Sequence, residues 1–280
     1  MKQIFCPGIF AKILILLILS SCSGGPGAKG HGEAGRVYNI IGLANASGEG
    51  WSAEQLESLG AEEIASAYFD QGLSYQGSRF RTVSLAKLIR RFDPEGESDA
   101  VLLNCFDDYQ GLLSLEDIRR YDLRLATRIQ IRPQFVPPDW LNPLLVIVPD
   151  GSAAPFQERF LTANIRELRL TRLDAYYAPL NRIGESSPQA GEGLSAFKNN
   201  CLFCHSLMGV GGHKGISLLD SYAFSRAEGK KRFEKDFTAF HHKDNPDKQN
   251  VEQFVSEAQL QAIGHFLLQA QQSAAHSGVK

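Results

Sequence analysis

Methionine is nearly missing from this chain: of 280 residues, only Met1 and Met208 carry a thioether. Any chemistry that needs a methionine sulfur must use Met208 or find another donor. An excess of charge is missing too, since 29 Lys and Arg stand against 31 Asp and Glu for a net charge of -2. Without a basic surplus, the composition offers no electrostatic footprint for nucleic acid. Long apolar runs are also missing. The uninterrupted stretch Ile13–Leu19 is far shorter than a bilayer-spanning helix requires. The 5 cysteines are an odd number and too few for a disulfide framework. No segment repeats, which excludes a repeat array.

What is present begins with a leader. Lys2 and Lys12 flank a dense apolar run of secretory length, so residues 1–21 are expected to be a signal peptide that is removed. Leu19-Ser20-Ser21-Cys22 resembles the bacterial lipobox, which implies that Cys22 becomes an acylated N-terminus. Several acyl chains anchor a protein stably where a single one does not. Ser23, standing where an Asp would retain such a protein at the inner membrane, implies the periplasmic face of the outer membrane.

Cys201-Leu202-Phe203-Cys204-His205 is the most informative stretch. Two thiols three residues apart, followed at once by a histidine, form the attachment signature of a c-type haem. Each thiol adds to one vinyl group while the adjacent imidazole reaches the iron from the same turn. At this composition the pattern arises by chance about 0.002 times, so coincidence is a poor explanation. The rivals are a structural disulfide, a thioredoxin-like redox pair and half of a zinc site. A zinc site needs two further ligands, and there is no second Cys-x-x-Cys. A redox pair has no need of the histidine. One covalent haem c on Cys201 and Cys204, with His205 on the iron, is therefore expected. Cys6 leaves with the leader, and Cys105 remains as an unassigned thiol, read as a small buried apolar residue.

About 250 residues beyond the leader are enough for two cores. Gly, Ser and Ala with no apolar period make residues 22–36 a flexible tether. Ile183 to Glu192, rich in Gly, Ser and Pro, reads as a linker over 183–192. Between them, residues 37–182 alternate strand-like and helix-like runs. Ser52 with Gln55 offers a capping box, and Leu85, Leu88, Ile89 and Phe92 share one helical face. Leu144 to Pro149 is a continuous apolar run that suggests a strand central in its sheet.

The order of these segments resembles the molybdopterin-binding fold of sulfite-oxidase-like proteins. The resemblance is carried by Val83-Ser84-Leu85-Ala86-Lys87-Leu88-Ile89, by Cys105-Phe106-Asp107-Asp108-Tyr109, and by Asn142-Pro143-Leu144-Leu145-Val146-Ile147-Val148-Pro149. It implies an α+β domain over 37–182. The family's metal-ligating cysteine lies upstream of the helix at residues 85–92, and residues 61–82 hold none. Molybdopterin is therefore not expected.

Residues 193–275 resemble a class I cytochrome c, which implies an all-α haem domain. Gly193 and Phe197 match its first helix, Gln259 to Leu268 its closing helix, and Gly193 against Phe266 is the expected crossing. In that family a proline carbonyl holds the proximal imidazole; here Ile216 takes the place and still offers a carbonyl. The family's distal methionine falls on Val251, which cannot bind iron, and Met208 is too close to His205 to reach the opposite haem face. His241 or His242 remains as the candidate distal ligand, giving a bis-imidazole haem; otherwise the iron is open. His213 and His265 are poorer candidates.

These observations imply a lipid-anchored electron carrier rather than a catalyst. Its accessory domain would dock a periplasmic or membrane redox partner or bind a small molecule. A molybdenum oxidoreductase feeding its own haem and a haem-based sensor are the alternatives. The basic run Lys230-Lys231-Arg232 is either solvated surface or a steering patch for an acidic partner.

Overall fold

The computed structural model describes residues 36–43, 47–241 and 255–277. The leader 1–21, Cys22, the tether up to residue 35, His242 and Val251 lie outside the described residues. Among the described residues no helix is long and apolar enough to cross a membrane.

Among the described residues nine strands form two sheets. The first contains β1 (Val37–Ile41), β2 (Glu49–Ser52), β5 (Ala100–Cys105), β6 (Gln110–Ser114) and β9 (Ile165–Thr171), in the order β2-β1-β9-β5-β6. Only its β1–β9 pair is parallel. The second, antiparallel throughout, contains β3 (Glu62–Ala65), β4 (Arg79–Ser84), β7 (Arg124–Gln130) and β8 (Leu145–Ile147), in that order.

Serines start the short helices between strands. Ser52, Ser66, Ser84 and Ser114 accept backbone N–H groups at the beginnings of α1 (Ala53–Glu57), α2 (Ala67–Leu73), α3 (Leu85–Phe92) and α4 (Leu115–Arg120). The box of Ser52 with Gln55 is complete. Leu85, Leu88 and Ile89 turn inward from α3 as their spacing requires, while Phe92 is half-buried.

The first sheet is covered on both faces. Along β5, Val101, Leu103 and Cys105 enter the core shared with the second sheet, which includes Val83, Leu125 and Val146. Ala100 and Leu102 alternate to the other side, where Leu112 joins them against Leu173, Tyr176 and Tyr177. Those last three belong to α5 (Leu173–Gly184), the first helix of a third layer completed by α6 (Pro188–Asn200), α7 (Leu218–Ser221), α8 (Ala227–His241) and α9 (Glu257–Ser277).

This layering corrects the expected division into a sulfite-oxidase-like α+β domain and an independent all-α cytochrome c domain. Among the described residues the fold is mixed α/β with two sheets, and no separate all-α domain stands apart from them. Residues 183–192, expected as a linker, are instead the end of α5 and the start of α6. Their turn-forming residues make a tight corner: Ser187 caps α6, Pro188 occupies its first position, and Gly184 lies directly against Leu194. A linker and a helical corner share one composition because both need residues that end helices. A second correction concerns Leu144 to Pro149. β8 is an edge strand, buried because Val146 N–H donates to Thr162 and Ile165 N–H to Leu144 in the segment that returns beside it. Burial on all sides reads the same in sequence whether a strand or a loop provides the cover.

Candidate haem site

α6 and α9 cross where Gly193 meets α9. A Cβ on Gly193 would collide with the Ala262 carbonyl and sit 2.8 Å from the Phe266 Cβ, so only glycine admits this approach. The crossing sets where α6 ends. Cys201 caps it, and the following turn is closed by Cys204 N–H to the Cys201 carbonyl at 3.1 Å and by His205 N–H to the same oxygen at 2.8 Å. One turn of backbone thereby carries both thiols and the imidazole.

These three side chains line a cavity of about 430 Å³. That volume is in the range of small-molecule and cofactor sites. Its helical walls are mostly apolar, with Leu218, Phe233, Phe237 and Ile263 among them. The cysteines are not bridged. Burial, aided by the charge of Glu158, pushes the Cys201 thiol up to about 12. Redox-active and metal-binding thiols need the opposite shift.

His241, at the last position of α8, lines the same cavity. Its ring centroid is 6.2 Å from that of His205. With metal–imidazole bonds of about 2.0 Å and a ring centre about 1.1 Å behind each nitrogen, two imidazoles sharing one metal stand about 6.2 Å apart. The tautomers agree with that role. His205 Nδ1 lies 2.9 Å from the Ile216 carbonyl, and His241 Nδ1 lies 2.8 Å from the Phe237 carbonyl. A carbonyl can only accept, so each Nδ1 is the donor and each Nε2 carries the ring's lone pair. The residues present therefore fit a bis-imidazole haem.

The other candidates lie elsewhere. Met208 is exposed in a left-handed turn, His213 is exposed, and His265 contacts Ser187 Oγ at 3.3 Å. None of the three lines the cavity. Cys105 is inside the sheet core, and burial raises its pKa far above the usual thiol value, so it is an inert core residue. Among the described residues no group of three or more His, Cys, Asp or Glu is arranged to hold a metal ion. Lys230, Lys231 and Arg232 lie on α8 among Glu228, Glu234 and Asp236, with Arg232 3.4 Å from Asp236.

The sheets contribute residues that sequence reasoning missed. Tyr109 and Glu158 line the same cavity as Cys201, Cys204 and His205. The β5–β6 turn also grips the turn from Cys201 to His205 and the loop after it from outside. Tyr109 stacks on Phe203 with ring centres 4.9 Å apart, Gln110 N–H donates to the Phe203 carbonyl at 3.0 Å, and His213 N–H donates to the Asp108 carbonyl at 2.8 Å. The stretch Cys105 to Tyr109 carried part of the sulfite-oxidase-like resemblance, and nothing in it announced a partner about a hundred residues away. No family model matches the chain, and no curated protein matches it.

Proposed function

We propose that this protein is a membrane-anchored periplasmic one-electron carrier with a single c-type haem on Cys201 and Cys204, ligated by His205 and His241. The observation that carries this reading is the pair of imidazoles 6.2 Å apart in the cavity that both cysteines enter. Bound there, haem supplies a one-electron iron couple whose potential is lower with two imidazoles than with a methionine sulfur. The chain's own part is to orient. Ile216 and Phe237 hold the two rings through Nδ1, while Phe233 and Phe237 keep the cavity wall apolar. The sheet layers are proposed as the platform that docks a redox partner or a small molecule. Sequence supports the anchor through Cys22, which lies outside the described residues.

The test is the visible spectrum of the reduced protein with and without carbon monoxide. Wild-type protein is expected to keep its spectrum over minutes, and His241→Ala to shift rapidly and stoichiometrically. Rapid binding by wild-type protein overturns ligation by His241.

A further inference from the structure

Four polar side chains stand in one row across the first sheet. The register sets Asn39 opposite Glu167, Glu167 opposite Asn104, and Asn104 opposite Gln110. Neighbours are bonded along the row. Asn39 Nδ2 donates to Glu167 Oε2 at 3.2 Å, Asn104 Nδ2 to Glu167 Oε1 at 2.7 Å, and Gln110 Nε2 to Asn104 Oδ1 at 2.8 Å. Half-buried amides are costly unless satisfied, and here each satisfies the next.

One member sets the direction of the whole row. A carboxylate only accepts, so Asn104 must turn its NH2 toward Glu167 and its oxygen toward Gln110. Gln110 must then give its NH2 to Asn104 and present Oε1 to the helical layer. That oxygen accepts the Gly211 N–H at 3.1 Å and the Tyr176 hydroxyl, and Gly211 N–H also reaches the Tyr176 oxygen at 2.9 Å.

Gly211 opens the loop that seats the proximal imidazole. Gly212 N–H donates to the Leu202 carbonyl at 2.8 Å, Gly215 N–H to the Cys204 carbonyl at 2.7 Å, and the Ile216 carbonyl receives His205 Nδ1–H. The loop has no slack. Gly211 has φ +103°, a Cβ on it would come 2.5 Å from the His205 carbonyl oxygen, and a Cβ on Gly215 would collide with the His205 ring.

We propose that Glu167, on β9 and outside the cavity, is a positioning residue for the haem. Its carboxylate fixes the polarity of the Asn104–Gln110 relay and so the seat of the loop that holds His205, a role that depends on haem being attached as proposed above. When Gln110 no longer accepts, Gly211 N–H and the Tyr176 hydroxyl lose their shared partner and Gly211 keeps only the Tyr176 oxygen; the loop loosens, the Ile216–His205 hydrogen bond lengthens, and the imidazole would be a weaker donor to a bound iron. The oxidised state then loses stabilisation, and the potential rises.

The experiment is a redox titration of the mature, haem-loaded protein and of Glu167→Gln, Gln110→Met and the double variant. Gln110→Met breaks the relay without changing charge, which separates positioning from direct electrostatics. Each single variant is expected to move the redox equilibrium about three- to tenfold toward the reduced form, tenfold being about 59 mV for one electron. The double variant should move it no further than the larger single shift. Hydrogen exchange at the Gly211 amide should quicken about tenfold in both singles. If Gln110→Met does not fold, Asn104→Leu cuts the same relay one strand earlier. An unmoved potential in the neutral variant, or shifts that add in full, overturns the positioning role. Wild-type protein lacking covalent haem overturns the haem reading as well, so the two failures are distinguishable by mass.

Discussion

The sheets and the helical layer treat the same residue types in opposite ways. In the sheets, Cys105 is 1% exposed and packed as an apolar side chain. In the helical layer, Cys201 and Cys204 face a cavity of about 430 Å³. Ionisable groups differ similarly. Glu57, its side chain 9% exposed, is held by Arg81 at 2.6 Å, Arg128 at 3.1 Å and the Thr127 hydroxyl at 2.9 Å, so its acceptors are used up internally. His205 and His241 instead each turn Nδ1 to a backbone carbonyl, those of Ile216 and Phe237, at the edge of the cavity. One region uses its side chains to complete a core, and the other uses them to surround a site. Apolar residues alone do not separate the two, since both regions bury several phenylalanines.

The largest test of that contrast is removal of both cysteines. Cys201→Ala with Cys204→Ala should abolish covalent haem entirely, read as a drop of one haem in the mass of mature protein. Hydrogen exchange should then quicken in α6, α8 and α9 while the strand amides of the second sheet keep their protection. Equal loss in both regions would mean that the layers are not distinct in this way.

A mid-sized effect is expected at the helix crossing. Gly193→Val places a branched side chain against the Ala262 carbonyl and should cost about 3 kcal/mol or more in chemical denaturation. The same change at Gly264, whose Cβ would meet nothing within 4 Å, should cost about 1 kcal/mol or less.

The smallest effect belongs to the sheets and to acid. Burial opposes the Glu57 charge, but hydrogen bonds from Arg81 and Thr127 and the charge of Arg128 outweigh it and hold the carboxyl below its ordinary value of 4.5. A carboxylate lowered on folding stabilises the protein above its unfolded pKa, and that contribution is lost as pH falls through the lower folded value. Glu57→Gln should therefore cost about 1–3 kcal/mol at neutral pH. It should also flatten the acid limb of a melting-temperature profile below pH 4.5. An unchanged acid limb would assign that dependence to other carboxylates, Asp93 foremost, whose charge is opposed by burial but favoured more by the combined hydrogen bonds from Ser98 and the Glu97 and Gly96 amides.

Much of the site was legible because its determinants are local. Cys201, Cys204 and His205 fall within one turn, so their spacing in sequence is their spacing in space. The crossing of Gly193 with Phe266 and the Ile216 carbonyl on His205 were also readable, since each follows from a short motif. His241 was named together with His242 as a candidate; His241 lines the cavity, and His242 lies outside the described residues. Tyr109, Glu158 and Gln110 were not readable at all. Each acts on a partner far away in sequence, and a side chain's distant partner leaves no trace in its neighbours.

The sequence by itself determined the local chemistry of this protein: capped helix starts, alternating strand faces, and a thiol–thiol–imidazole turn. Each of these is set by interactions within a few residues, where the backbone geometry is already prescribed. Only the tertiary structure decided that the helices form a third layer on the first sheet, that residues 183–192 turn a corner, and that a row of polar side chains ends at the Gly211 loop. Those outcomes depend on which buried polar groups find partners across the fold, and that pairing exists only once the layers have met.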